Sequence, residues 1–151
     1  MLNALLGVWQ ASSLGLYDVQ DRNQPEFNLR GKFVPGLEGR FAFRTARPKS
    51  YPVPKDGPAG ELLRASGRHP FRPAHLHFIA SADGFNKLVM HIFDSDDEYL
   101  GSDVVFAVKS SLIRDFNRHD THYASHGVTL PLPYYTSEFD FVRTQPREAV
   151  D

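Results

Sequence analysis

Short runs in which apolar and polar residues alternate, separated by turn-forming residues, recur along the whole chain. Strand side chains point alternately to the two faces of a sheet, so this alternation predicts half-buried strands. Helical periodicity over any long segment is absent. The predicted strands cover residues 5–11, 29–34, 40–45, 72–79, 87–93, 104–108, 111–116 and 138–143.

Two pairs of these segments are predicted to be antiparallel neighbours. Residues 29–34 and 40–45 flank Pro35-Gly36, and residues 72–79 and 87–93 flank the turn at residues 82–84. Many short strands with frequent turns are typical of an all-β sandwich or barrel. We predict an all-β fold, an antiparallel β-sandwich, as one domain over residues 1–151.

A proline-rich segment interrupts the strands at residues 47–60, with four prolines and two glycines. This composition suits neither a helix nor a central strand. Because Tyr51 and Val53 lie inside it, a stiff extended loop over a functional site is as good an interpretation as a linker. Residues 61–65 favour a short helical turn.

Composition narrows the classes of function. A chain of 151 residues with a formal charge of −1 makes about one domain and offers no basic field for nucleic acid or an anionic membrane. No apolar run is long enough to cross a bilayer, and the apolar start lacks the basic residues of a signal peptide. We therefore expect a cytoplasmic protein that binds a small molecule. The absence of cysteine means that His, Tyr, Asp or Glu must hold any metal.

His75 and His77 are two residues apart in a strand-like run, so they point to one face and could share a metal ion. The plain alternative is a pair of half-buried strand histidines. A cupin-like site needs a glutamate a few residues later, but the next one is Glu98. A zinc site with His91 as third ligand stays open.

A further arrangement adds Tyr17 and Tyr51 to His75 and His77. Phenolate is a hard, strongly donating anion, so two phenolates and two imidazoles would select ferric iron over zinc. The residues alone do not decide between this site, the zinc site and two plain strand histidines.

Several linked motifs in this chain resemble the catalytic portion of the intradiol ring-cleavage dioxygenases, the group of catechol and hydroxyquinol 1,2-dioxygenases. The matching segments are Val8-Trp9-Gln10-Ala11, Gly15-Leu16-Tyr17-Asp18, Tyr51-Pro52-Val53-Pro54, Asp56-Gly57-Pro58, Gly67-Arg68-His69-Pro70-Phe71-Arg72-Pro73-Ala74-His75-Leu76-His77 and Ser81-Ala82-Asp83-Gly84. The resemblance implies a non-haem Fe(III) cofactor. Its implied ligands are Tyr17, Tyr51, His75 and His77.

The resemblance also implies roles around the metal. Tyr51 matches the tyrosine that leaves the iron and acts as a base when substrate binds, and Arg72 matches an active-site arginine that favours negative charge on the ring. We expect His91 to lie beside the ligands rather than to be a fifth one, with a plain core histidine as the remaining alternative. The expected partners are O₂ and a small aromatic diol or triol.

Substrate choice follows from three expected substrate contacts besides Arg72, namely Val53, Pro54 and Val104. The motif at residues 51–54 and the small Val104, where catechol cleavers tend to carry phenylalanine, resemble the hydroxyquinol group. The first expectation is cleavage of hydroxyquinol, benzene-1,2,4-triol, to 3-hydroxy-cis,cis-muconate, in equilibrium with maleylacetate. Catechol or a chlorocatechol is the alternative.

The chain also departs from the family pattern. Family members carry an amino-terminal helical domain, used for homodimerisation, and further strands before the segment that matches Val8-Trp9-Gln10; here Met1 stands close to it, and Gly7 replaces the usual Asp. We expect a catalytic domain incomplete at its amino terminus, without the dimer interface. An inactive β-sandwich remnant that at most binds metal is the alternative of another class. His119, His122 and His126 are expected to be solvated loop residues.

Overall fold

A computed structural model describes residues 3–122 and 129–146 and consists mainly of strands with one helix. The helix, α1, spans Pro58–Ala65. The strands are β1 (Leu5–Trp9), β2 (Arg30–Phe33), β3 (Tyr51–Pro52), β4 (Phe71–Arg72), β5 (His75–Ser81), β6 (Leu88–Asp94), β7 (Ile113–Arg114), β8 (Asn117–His119) and β9 (Tyr134–Thr136).

The largest sheet has five strands in the order β2-β1-β5-β6-β7. All neighbours are antiparallel except β6 and β7. The predicted β5–β6 hairpin is confirmed, with His77 directly opposite His91. Two small antiparallel sheets, β3-β4 and β8-β9, complete the described part of the chain.

One face of the five-stranded sheet carries the hydrophobic core. The alternation in β5 places Leu76, Phe78 and Ala80 on this face, where they pack with apolar residues of β1 and β6. Phenylalanines from β2 and from segments outside the sheet cover it: Phe33, Phe41, Phe43, Phe116, Phe139 and Phe141. The opposite face, which carries His75 and His77, is therefore not part of this core.

Three predicted strands are wrong. Residues 40–45 and 138–143 form no ladder in the structure, although their phenylalanines pack on the core, and β2 pairs with β1 instead of residues 40–45. Residues 104–108 form a turn and loop because the Asp103 side chain accepts the backbone N–H groups of Val105 and Ala107. Alternation thus identified the buried side of these segments but not their hydrogen-bond partners.

The proline-rich segment is extended around Tyr51, as expected, but its last residues, 58–60, are helical, although no helix was predicted there. Tyr51 and Pro52 pair with β4, which fixes this part of the segment against the sheet. The helix α1 begins at Pro58, earlier than predicted, because a proline at the first helical position needs no N–H partner and has a suitable φ. No helix among the described residues has the length and apolar character required to span a membrane.

Candidate metal centre

The face of β5 opposite the core presents an aromatic and imidazole surface. His75 lies opposite Phe93, and His77 lies between Trp9 of β1 and His91 of β6. The Trp9 and His77 rings are stacked, with centroids 4.8 Å apart and planes 3° apart. Trp9 therefore restricts the rotation of the His77 ring. No sequence pattern indicated this contact, because the pairing of β1 with β5 joins segments about 70 residues apart.

A tight turn after β1 brings Tyr17 to the same face. The turn is closed by hydrogen bonds from the Gly15 N–H to the Ser12 carbonyl and from the Ser12 N–H to the Leu16 carbonyl. Gly15 has a φ of +75°, and a Cβ atom at this position would lie 2.8 Å from Cβ of Tyr51. Glycine is required here by both the backbone conformation and the close approach to Tyr51.

Tyr51 reaches the site from β3, which pairs with β4. Its direct partner in the ladder is Arg72, three residues before His75. Prolines at positions 52 and 54 restrict the backbone around Tyr51 to extended conformations. This short ladder holds the phenol over the imidazoles.

Four donor atoms meet at one point. Oη of Tyr17 lies 2.8 Å from Oη of Tyr51 and 3.0 Å from Nε2 of His77. Nε2 of His75 lies 3.3 Å from Oη of Tyr51 and 3.0 Å from Nε2 of His77. The two phenol oxygens and two imidazole nitrogens expected from the sequence therefore form a ring of close neighbours.

Hydrogen bonding fixes the tautomer of His75. Its Nδ1 lies 2.6 Å from the Pro73 carbonyl oxygen, which can only accept, so Nδ1 carries the proton and donates. The lone pair of the neutral His75 ring is consequently at Nε2. It is directed to the other three atoms that could bind a metal ion. A histidine that ligates a metal is commonly oriented in this way by a backbone carbonyl.

Burial keeps both imidazoles neutral at physiological pH. It lowers the pKa of His75 to about 3, with the positive charge of Arg72 as the next cause. Burial likewise lowers the pKa of His77 to about 4, followed by the effects of His91 and Arg72. Neutral imidazole is the form that binds metal ions, so neither ring has to lose a proton first.

Burial raises the pKa of Tyr17 well above that of free tyrosine, and the hydrogen bond with Tyr51 acts in the same direction. The phenol is therefore protonated at neutral pH unless a cation lies beside it. A bound metal ion reverses this preference because its positive charge stabilises the phenolate.

The contacts around His75 suit a metal ion better than they suit a hydrogen-bond network. Its single Nε2 lone pair faces Tyr51 Oη, His77 Nε2 and, at 3.1 Å, Nη1 of Arg72. One lone pair can accept a well-aligned hydrogen bond from only one of these three groups. Ligand atoms bound at about 2.1 Å lie about 3 Å apart at neighbouring coordination positions. The donor spacing and the donor chemistry both fit a small, hard cation.

His91 lies beside this set without joining it. Its ring centroid is 5.5 Å from that of His75 and 5.4 Å from that of His77, and its buried Nε2 has no hydrogen-bond partner among the described residues. Among residues 3–122 and 129–146, no three His, Cys, Asp or Glu side chains are placed to hold one ion. The three-histidine zinc site is therefore wrong, because His91 is directly across the ladder but remains outside the donor ring.

Arg72 is buried at the edge of the donor ring. Its Nη1 contacts His75, its Nε donates to Oδ1 of Asp103 at 3.4 Å, and its buried Nη2 has no hydrogen-bond partner in the described structure. Asp103 was not among the residues predicted from the sequence. The only available signal was an acidic residue at the start of an apolar run.

The expected substrate contacts are tied to the segment that precedes His75. The Val53 N–H donates to the Pro70 carbonyl and the Val104 N–H donates to the Phe71 carbonyl. Val104 is buried and Val53 half-buried, whereas Pro54 is exposed. The backbones at 53 and 104 are thus held against consecutive residues next to Arg72.

The prediction that His119, His122 and His126 are solvated loop residues has a different outcome for each histidine. His119 belongs to β8, stacks on Tyr134 and hydrogen-bonds Thr136, so its assignment as a solvated loop residue is wrong. His122 is exposed, as expected. His126 lies outside the described residues.

Comparison with known proteins gives consistent results. A sequence model of the family described as "Dioxygenase" matches residues 1–143. The hydroxyquinol 1,2-dioxygenase of Rhizobium sp. (strain MTP-10005) is 63% identical over 116 residues, covering 76% of this chain and 39% of that protein. The 6-chlorohydroxyquinol 1,2-dioxygenase of Cupriavidus pinatubonensis is 48% identical over 139 residues, covering 92% and 46%.

Solved structures agree with the sequence relatives. The structure of hydroxyquinol 1,2-dioxygenase from Pseudomonas putida DLL-E4 superposes with a TM-score of 0.89 at 45% identity, covering 97% of this chain and 51% of that one. Catechol 1,2-dioxygenase from Acinetobacter sp. ADP1 gives a TM-score of 0.88 at 32% identity, covering 100% and 50%. The chain thus spans about half the length of these proteins, or less.

Proposed function

Because this chain belongs to the intradiol ring-cleavage dioxygenase family, we propose that it holds Fe(III) and uses O₂ to cleave hydroxyquinol between its vicinal hydroxyls. Both oxygen atoms of O₂ enter the product, 3-hydroxy-cis,cis-muconate or its tautomer maleylacetate. The observation that carries the proposal is the convergence of Tyr17, Tyr51, His75 and His77.

We propose that these four side chains are the protein ligands of the ferric ion. Two phenolates supply hard anionic donors and two neutral imidazoles complete the set, a combination that favours Fe(III) over Zn²⁺. When bound, ferric iron supplies the Lewis-acid and redox chemistry that makes a chelated aromatic diolate reactive toward O₂. Trp9, stacked on His77, covers one face of that ring and helps to fix its orientation.

Tyr51 is proposed as the base that prepares the substrate. A diol that binds through both oxygens must lose two protons, and the Tyr51 phenolate can take one of them at Oη. This role follows the family resemblance, in which Tyr51 matches the tyrosine that leaves the iron when substrate binds. Tyr17, which contacts both Tyr51 and His77, is proposed to remain on the metal.

Arg72 is proposed to stabilise negative charge on the substrate ring. Its guanidinium cannot deprotonate, and its Nη2 is a buried donor without a partner among the described residues. Such a donor is costly to leave unsatisfied, so an anionic ligand beside it gains both charge compensation and a hydrogen bond.

Val53, Pro54 and Val104 are proposed to line the ring-binding side of the pocket. The Val53 and Val104 backbones are bound to Pro70 and Phe71, so a change at either position acts next to Arg72. The modest size of Val104 is proposed to leave space for the third hydroxyl of hydroxyquinol. His91 is proposed to lie beside the bound diol, without ligating the metal.

The fold is proposed to be a β-sandwich acting as one catalytic domain over residues 1–151. The five-stranded sheet supplies one layer, and the segments that carry Phe41, Phe43, Phe139 and Phe141 cover its apolar face. The metal donors occupy the other face of the same sheet, so burial of the core fixes the spacing of the two histidines.

The test is oxygen uptake by the iron-loaded protein, with product identification by mass spectrometry. Hydroxyquinol should be consumed with one O₂ per ring, faster than catechol or chlorocatechol. The variant Y51F should keep the fold by circular dichroism and lose most of the turnover. Iron-loaded protein that binds hydroxyquinol without consuming O₂ would indicate a metal-binding remnant and would contradict the proposed activity.

A further inference from the structure

A buried carboxylate links Arg72 to the loop at residues 103–107. The Asp103 side chain is 1% exposed and accepts three hydrogen bonds, from Nε of Arg72 at 3.4 Å, from the Val105 N–H at 3.3 Å and from the Ala107 N–H at 2.9 Å. Arg72 is its only salt-bridge partner within the described residues. A carboxylate buried to this extent needs such compensation, so the two residues constrain each other.

The loop at residues 103–107 depends on the same side chain. Phe106 has a φ of +55°, a conformation that is unfavourable for a residue with a Cβ atom. The Asp103 hydrogen bonds to Val105 and Ala107 lie on both sides of Phe106, so they hold the loop in this conformation. Val104, proposed above as a substrate contact, is in this loop.

A ligand on His75 increases the importance of Asp103 to Arg72. Nη1 of Arg72 lies 3.1 Å from Nε2 of His75, whose lone pair is the one that a metal ion would take. Once that lone pair is taken, Nη1 loses its acceptor. Asp103 then provides the one remaining protein contact that fixes the guanidinium, as far as the described residues show.

We propose that Asp103 is a positioning residue that sets the orientation of the Arg72 guanidinium and the conformation of the Val104 loop together. A diol substrate would thereby contact both the Arg72 guanidinium and the Val104 loop. One carboxylate, that of Asp103, would fix the positions of these two groups relative to each other. The kinetic consequence of this inference rests on the proposed ring-cleaving function, whereas its structural consequence does not.

The variant D103N tests the proposal because the amide loses the charge and one acceptor oxygen while keeping the size of the side chain. We expect kcat/KM for hydroxyquinol to fall about tenfold to a hundredfold, the range for one charged hydrogen bond, with the visible spectrum of the iron-loaded protein unchanged. The variant D103E, which keeps the charge but displaces it, should also lower kcat/KM. If kcat/KM stays within twofold of the wild-type value in both D103N and D103E, the proposal is overturned.

Asp94 offers a matched control. It is also a buried aspartate, 4% exposed, that pairs with an arginine, Arg47, and accepts a backbone N–H, from Asp96. Among the described residues it makes no hydrogen bond or ion pair with Arg72. The variant D94N should lose a similar amount of stability and retain kcat/KM within about twofold. Equal losses of turnover in D94N and D103N would show that Asp103 acts only through stability.

A double-mutant cycle separates positioning from a general structural role. If Asp103 acts through the guanidinium, D103N should lower kcat/KM by less than about threefold in an R72Q background. If the two residues act independently, their effects on kcat/KM should multiply, which would overturn the proposal.

A measurement without iron keeps the proposal separate from the proposed function. In ¹⁵N spectra of the iron-free chain, the Arg72 Nε–H signal should exchange slowly with water in the wild type and in D94N, and at least tenfold faster in D103N. Unchanged exchange in D103N would overturn the positioning role even if ring cleavage were confirmed. Faster exchange in a protein that lacks turnover would support the positioning while refuting the proposed activity.

Discussion

Substitution of Gly15 by alanine should damage the proposed metal centre through Tyr51. The turn at Gly15 carries Tyr17 toward Tyr51, and a Cβ atom on Gly15 would lie 2.8 Å from Cβ and 3.6 Å from Cα of Tyr51. Ordinary contacts of this kind begin at about 3.4 Å, so the two segments must separate by about 0.6 Å, more than the roughly 0.5 Å that a preorganised site tolerates.

In G15A, alanine at a positive φ lowers stability, and this effect must be separated from the effect of the close contact with Tyr51. Alanine at a φ of +75° costs about 1–2 kcal/mol. Gly84 has the same φ of +75°, but a Cβ atom at Gly84 would have no neighbour within 4 Å. G84A is therefore a control for the backbone cost alone, in the turn between β5 and β6.

The assay compares both variants with the wild type by urea unfolding and by titration with ferric iron. Both should lose about 1–2 kcal/mol of stability, and overpacking should add about 1–3 kcal/mol to the loss in G15A. Only G15A should bind iron at least tenfold more weakly, with a weaker visible band. Equal iron affinity in G15A and G84A would refute the claim that the approach of this turn to Tyr51 builds the site.

Three further predictions address the surroundings of the donors. Trp9, the only tryptophan, stacks on His77, so its fluorescence should be quenched on addition of one equivalent of ferric iron and restored by a chelator; unchanged emission at saturation would contradict metal binding at His77. The pKa values of His75, about 3, and of His77, about 4, lie below the ordinary histidine value of 6.5. At a pH between the folded value and 6.5, the unfolded chain therefore binds more protons than the folded chain. Iron-free protein should therefore become less stable in urea as the pH falls from 7 to 5, beyond what H75Q and H77Q variants show. H91Q should bind one iron with an unchanged band maximum, because His91 is outside the donor ring; loss of iron stoichiometry would make it a ligand.

The alternation of residues predicted the part of the fold that matters most to the site. β1, β5 and β6 were expected from their own sequences because each buries a regular set of side chains between neighbouring strands. The same rule failed for residues 40–45 and 138–143. Their phenylalanines are partly buried against the core, but their backbones find no ladder partner among the described residues. Alternation indicates which side chains face the core and does not indicate which backbones pair.

The convergence of Tyr17, Tyr51, His75 and His77 was expected from motifs, whereas the contacts that position these side chains could not be predicted. A His-x-His pair on a strand is visible in the sequence, but the Trp9 ring that stacks on His77 arrives through a strand pairing across about 70 residues. Gly15 and Asp103 act through close approaches that depend on tertiary packing. Such residues have no characteristic spacing, so only the three-dimensional structure reveals them.

The visible absorption spectrum during titration with ferric iron tests the central claim most directly. If two phenol oxygens and two imidazole nitrogens share one ion, a broad tyrosinate-to-iron band should grow to an end point of one iron per chain. Y17F and Y51F should each weaken and shift this band. A colourless protein at saturating iron, or a band that is unchanged in both variants, would contradict the proposed four-ligand centre.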